Sequence, residues 1–176
     1  AATRRAWPSR WPICWKTSDV ATTRKPMAAK SQRRRARELA LQGVYQWLIA
    51  GGEPQAIDEQ LREHEGYDKC DSVHFDALLR GSIESAATLD AALARHVDRK
   101  TSELSPVEHA VLMLGAYELA HCLDIPYKVA INEAVELAKA FGGTDGHKYV
   151  NGVLDKCAGD LRPVEVAARQ AARRGA

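Results

Sequence analysis

SPVEHAVLMLGAYELAH, residues 105–121, opens with a serine, a proline one position on and a glutamate two further. A serine hydroxyl can accept a first-turn N–H, proline at the first helical position gives up a hydrogen bond that the helix does not make there, and glutamate at the third suits the positive helix end. The stretch therefore predicts a helix running from Val107 to about His121. Val111, Leu112, Met113, Leu114, Ala116 and Leu119 leave almost no polar side to it. A helix apolar all round must be enclosed by other elements, so a helical bundle is expected around it.

Reading outward supplies the neighbours. Downstream, Asp124-Ile125-Pro126 precedes a helix to Phe141, which Gly142-Gly143 is expected to end as a left-handed cap. Thr144 is then the expected cap of a last long helix through Val150, Val153, Leu154 and Cys157. Upstream, Ala36, Leu39, Ala40, Val44, Trp47 and Leu48 recur at three and four from Arg35 until Gly51-Gly52, which predicts a first helix. Pro54 opens a short segment with Ile57 and Leu61, and the row from Phe75 to Val97 predicts one long helix or two abutting ones. No stretch alternates as a strand would. The expected fold class is all-α, with six or seven helices in two bundles divided near Lys100, giving subdomains 31–100 and 101–162. Residues 163–176 are expected to be a frayed basic tail.

Residues 1–26 hold three of the four tryptophans and three of the seven prolines, without helical or strand period and without the apolar core of a signal peptide. Residues 1–30 are therefore expected to be a disordered basic extension, either a non-native stretch ahead of a start at Met27 or an arm with nonspecific phosphate affinity. Net charge is only +2, yet residues 1–30 carry seven Lys or Arg against Asp19 alone, while the chain from Glu38 onward is net acidic. A basic arm on an acidic body points to an anionic partner, nucleic acid before membrane. No apolar run nears the ~20 residues of a membrane span. Cys14, Cys70, Cys122 and Cys157 form no CxxC pair, so reduced thiols and a cytoplasmic setting are expected.

The residues offer little chemistry. There is no phosphate-binding GxxxxGK[ST], and Gly142-Gly143-Thr144-Asp145-Gly146 lacks dinucleotide-binding spacing. His64, Cys70 and His74 could supply three metal ligands, but a loop histidine and a helix-surface pair is the stronger reading. His109 and His121 have no matched nucleophile and read as surface or boundary residues. Neither a catalytic residue, a metal nor a cofactor is expected.

Arg33, Arg34, Arg35 and Arg37 stand at the expected start of the first helix, where each exposed cation works against the macrodipole by roughly 0.3–1 kcal/mol. Four arginines there point to a phosphate-rich partner, against the alternative of a solvated start. Tyr127-Lys128 and Asp145, His147, Lys148 and Tyr149 open two later helices, where a tyrosine could stack a base and a lysine hold its phosphate. On spacing alone, Tyr149 is as readily a half-buried boundary residue.

Three stretches, RRRARELALQGVYQW (33–47), SPVEHAVLMLGAYEL (105–119) and IPYKVAINEAVELAKAFGGTDGHKYVNGVLDK (125–156), closely resemble the NusB family, and the likeness runs from about Met27 to Arg162. The resemblance implies two antiparallel helical bundles packed together. It also implies binding of the single-stranded boxA element of nascent ribosomal RNA together with NusE, a small-subunit ribosomal protein, in an RNA polymerase antitermination complex. Its RNA surface would include Arg33, Arg34, Arg35, Arg37, Lys128, Asp145, Lys148 and Tyr149, and its NusE surface Tyr45 and Glu108. Glu108 is thus read both as a partner contact and as a capping residue. A NusB-like domain also resembles the amino-terminal part of some ribosomal RNA cytosine methyltransferases, which need a further α/β domain, so that reading requires the chain to be a fragment. A homodimer masking the RNA face is a third reading.

Overall fold

Ser105 opens the helix around which the others gather: its Oγ accepts the Glu108 N–H at 3.2 Å, Pro106 takes the first position, and α5 runs Pro106–His121. The computed structural model describes residues 29–174, with side chains from Gln32 onward. Around α5 stand α1 (Ala29–Ala50), α2 (Pro54–Arg62), α3 (Ser72–Glu84), α4 (Ala86–Leu93), α6 (Tyr127–Phe141), α7 (Gly146–Leu161) and α8 (Pro163–Arg174). The described residues contain no strand, so the all-α expectation holds. Of the extension expected at residues 1–30, residues 1–28 lie outside the described residues, while 29 and 30 belong to α1.

Burial follows the sequence pattern. Leu112, Met113 and Leu119 of α5 are fully buried, together with Leu39 and Val44 of α1, Phe75, Leu78 and Leu79 of α3, Ile131 of α6 and Leu154 of α7. Each such side chain removed from water contributes about 1.5–3 kcal/mol before entropy is counted. α1 packs on α2, α3 and α5, while α6 and α7 pack on each other and on α5. α4 leaves α3 at Ser85 and packs on α5 and α7, so the change of partner comes earlier in the chain than Lys100.

Three local expectations need correction. Gly142 has φ −91°, so α6 does not end in a left-handed cap; glycine is required there because a Cβ would lie 2.6 Å from the Ala138 carbonyl oxygen. The residue before α7 is Asp145, not Thr144, and no side chain caps that helix. The segment after Pro163 is a helix rather than a frayed tail, held where Glu165 Oε1 accepts the Tyr127 N–H at 3.0 Å. By contrast Gly51 and Gly52 end α1 where expected, and they do so in the left-handed region, at φ 66° and 102°.

Arg162, just ahead of α8, is 5% exposed. Its guanidinium donates to the Glu118, Leu119, Cys122 and Ile125 carbonyls at 2.6–2.9 Å. The Leu119 and Ile125 carbonyls have no backbone donor, while those of Glu118 and Cys122 also accept the Cys122 and Ile125 N–H groups, so one side chain completes the cap of the helix and fixes the turn into α6.

Candidate nucleic-acid interface

α1 and α5 lie antiparallel. Arg37 of α1 meets Glu118 near the end of α5, and Arg33, one turn earlier in α1, meets Asp124 just beyond α5 at 3.2 Å. Tyr45, eight residues past Arg37, is then ~12 Å further along α1 and lies toward the start of α5, the end that carries Glu108. Tyr45 is half-buried and packs against the core, and Glu108 is also half-buried.

The four arginines do different things. Arg33 and Arg34 are 43% and 49% exposed; Arg33 bridges Asp71 and Asp124, and Arg34 lies 3.5 Å from Glu38. Arg35 donates to the Glu65 carbonyl at 2.8 Å and covers Gly66, whose φ of 89° turns the chain between α2 and α3. Arg37 is 4% exposed and cannot join a surface cluster. Its Nη2 lies 2.8 Å from Glu118 Oε1 and its Nη1 3.5 Å from Glu133 Oε2, which places it inside the protein as a tie between α1, α5 and α6. α1 begins at Ala29, so Arg33 already stands in its second turn. The macrodipole argument for the cluster therefore lapses, because that field fades beyond the first turn.

Lys128 shares the end of the molecule with Arg33. Its Nζ lies 2.6 Å from Asp155 Oδ1 and 5.3 Å from the centre of the Tyr127 ring. Tyr127 itself is 6% exposed, so it packs rather than offering a face to a base.

Asp145, Lys148 and Tyr149 sit at the other end of α6, ~22 Å away for a helix of 15 residues. Here Arg99, Glu108, Gly143, Thr144, Asp145, Gly146 and Tyr149 line an open cleft of about 280 Å³. The Tyr149 hydroxyl donates to Asp98 Oδ1 at 2.9 Å, and the Arg99 guanidinium lies 5.6 Å over its ring while also bonding Asp98 at 2.9 Å. Arg99 first, and then Tyr149, hold the Asp98 carboxyl down at about 2; burial, then the bond to Asp98, push the Tyr149 hydroxyl up. Lys148 pairs with Asp145 at 2.8 Å, both well exposed. Glu108 Oε1 faces Gly146, where a Cβ would approach to 2.6 Å. Of the residues assigned to RNA, Arg33 and Lys128 thus lie at one end of α6 and Asp145, Lys148 and Tyr149 at the other, Arg35 and Arg37 are held by contacts within the fold, and Glu108 borders the second patch.

Arg99 and Asp98 were not foreseen, because they reach Tyr149 across some 50 residues of chain and carry no local motif. His64, Cys70 and His74 do not form a metal site: His64 is exposed, and buried His74 places Nε2 2.9 Å from Glu118 Oε1 without hydrogen-bonding geometry. Among the described residues no group of three His, Cys, Asp or Glu side chains is placed to hold a metal. Nor is any described helix long and apolar enough to cross a membrane. His109, expected at the boundary, is 9% exposed with Nε2 2.7 Å from Asp90 Oδ1, linking α5 to α4.

Fold and surface together define a two-bundle helical protein with charged, aromatic-flanked helix ends. The NusB family model matches residues 34–159, and the chain belongs to that family. The transcription antitermination protein NusB of Ralstonia pickettii (strain 12J) is 57% identical over 154 residues, covering 88% of this chain and 99% of the relative. That of Acidovorax sp. (strain JS42) is 51% identical over 173 residues, covering 98% of this chain and 96% of the relative. The second match includes most of residues 1–26 and of the segment after Pro163, and so extends beyond the Met27 to Arg162 range of the sequence resemblance. Among solved structures, T. maritima NusB superposes with a TM-score of 0.67 at 28% identity, covering 77% of this chain and 96% of that one. A structure of antitermination factors NusB and NusE in complex with dsRNA also gives 0.67, at 23% identity, covering 74% and 98%.

Proposed function

We propose that this protein is a transcription antitermination factor that binds the boxA element of nascent ribosomal RNA together with NusE, in the cytoplasm, acting as a binding protein and not as an enzyme. The observation that carries this reading is the division of the stretches that resemble the family into two charged patches on one scaffold. One end holds Arg33 and Lys128, with Arg34 beside Arg33 on α1; the other holds Asp145, Lys148 and Tyr149. A single strand lying along α6 could touch both, with phosphates on the first and a base edge or face in the cleft beside Tyr149. Relatives covered almost end to end carry the antitermination name, which favours this reading over a methyltransferase fragment.

NusE is assigned to the surface between Tyr45 and Glu108, which the antiparallel pairing of α1 and α5 puts toward the same end of the molecule. Glu108 then borders both partners, and bound RNA would complete part of the NusE surface. A gel-shift titration of boxA RNA and a scrambled control, with and without NusE, tests this. The expected result is a preference for boxA that NusE increases, and equal affinity for both RNAs in both conditions contradicts it.

A further inference from the structure

The first patch does not stop at Lys128. Tyr127 lies between two cations: Lys128 Nζ is 5.3 Å from its ring centre and the Arg169 guanidinium of α8 is 6.0 Å from it. Arg173 is one turn beyond Arg169 on the same face of α8, and Arg174 follows it in the last turn. Glu165 is the only acidic residue of α8, and it is occupied by the Tyr127 N–H and by Arg162 Nη1 at 3.1 Å. Among the described residues none of Arg169, Arg173 and Arg174 forms an ion pair, although the acidic body offers many carboxylates.

One loop links these cations to Arg33 of α1. Arg33 is bonded to Asp124, Asp124 belongs to the loop that Arg162 fixes, and that loop ends at Tyr127 and Lys128. The loop and α8 are therefore held by the same side chain, which gives α8 a defined place beside the patch. Its outer face is nearly all small residues and arginine, with Val164 82% exposed at its start. Such a face has little apolar area with which to bury a protein partner, but it suits a polyanion.

We propose that α8 extends the RNA-binding surface, with Arg169, Arg173 and Arg174 holding backbone phosphates of single-stranded RNA that continues past Arg33, Arg34 and Lys128. This rests on the RNA-binding reading above and adds a contact for the flanking nucleotides. Contacts of this type are blind to sequence, so they strengthen binding to any RNA long enough to reach them.

The test uses the full chain and fluorescence anisotropy, with a boxA RNA extended on both sides and a scrambled RNA of equal length, at 50–200 mM salt. Replacing Arg169, Arg173 and Arg174 together with glutamine should weaken binding to both RNAs by about tenfold at low salt. The slope of log K against log salt should become shallower by about 2, at ~0.7 per single-strand phosphate contact. The matching triple lysine variant should restore both, since charge and not guanidinium shape is what counts, and it guards against a loss that comes from misfolding. An unchanged slope in the glutamine variant overturns the proposal, as it would if α8 serves an acidic protein instead; so does a lysine variant as weak as the glutamine one. A parent protein that binds both RNAs equally contradicts the boxA reading and leaves the α8 slope to be judged on its own.

Discussion

Arg37 and Glu118 form an ion pair with Nη2 and Oε1 2.8 Å apart and both side chains about 95% buried or more. Arg37 Nε also donates to both carboxylate oxygens, at 2.9 and 3.1 Å, so the charge on Glu118 is matched by a fork of donors. Whether such a pair stabilises relative to an apolar replacement depends on desolvation, but removing one member leaves a buried charge alone. Arg37→Ala should therefore lower unfolding free energy by roughly 3–5 kcal/mol in chemical denaturation. The salt slope of RNA binding, measured on the folded fraction, should not change. A stable variant with a shallower slope would return Arg37 to the RNA surface.

Arg162→Ala should be nearly as damaging for a different reason. It strips a donor from four carbonyls around the end of α5 and leaves two of them, Leu119 and Ile125, without any partner, where each buried acceptor left unpaired costs about 1–3 kcal/mol. Hydrogen exchange should rise first in the loop 122–126 and the start of α6. Uniform loss of protection across the molecule would mean that Arg162 has no local capping role.

How far the sequence disclosed these arrangements can be judged residue by residue. α5, α1 and its glycine stop, and the paired α3 and α4 were readable because apolar spacing and capping act within a few residues of one another. Arg37 carried a signal that the arginine run obscured: it precedes Ala40, Leu41 and Val44 by three, four and seven, inside the buried stripe. α8 was missed because Pro163 reads as a stop, while what orders the segment is Arg162 and Glu165 meeting groups some 40 residues away. The Asp98–Arg99–Tyr149 cluster likewise exists only once α7 is folded against the end of α4 and the loop after it. Gly142 reads as a left-handed cap because sequence cannot separate a glycine needed for φ from one needed for space.

The Tyr149 cluster makes a pH prediction. Asp98 titrates near 2 instead of its ordinary 3.8, so the interaction is present above 3.8 and is lost as pH falls through about 2. In a carboxyl-carbon NMR titration Tyr149→Phe should move the Asp98 midpoint part of the way back toward 3.8, Arg99 retaining the rest. An unmoved midpoint means that the hydroxyl does not bond Asp98 in solution.

Glu108 separates capping from partner contact. The cap at Ser105 uses the Glu108 backbone N–H, while the Glu108 carboxylate faces Gly146, so its charge is not needed for the helix start. Glu108→Gln should keep the melting temperature within the ~2–4 °C that 1 kcal/mol represents at this size. Glu108→Lys should weaken NusE by a hundredfold or so, since a close pair turned to like charges costs several kcal/mol. Calorimetry with purified NusE that shows parent-like binding by both variants moves the partner surface elsewhere.

The central claim is that this chain recognises boxA RNA and not merely polyanions. The most direct measurement is the ratio of dissociation constants for boxA and scrambled RNA of equal length, by anisotropy at ~150 mM salt with NusE present. A protein that reads bases as well as phosphates should favour boxA by at least about tenfold, the effect of one well-placed base contact worth about 1–3 kcal/mol. A ratio near one, with both affinities falling together as salt rises, would contradict the account.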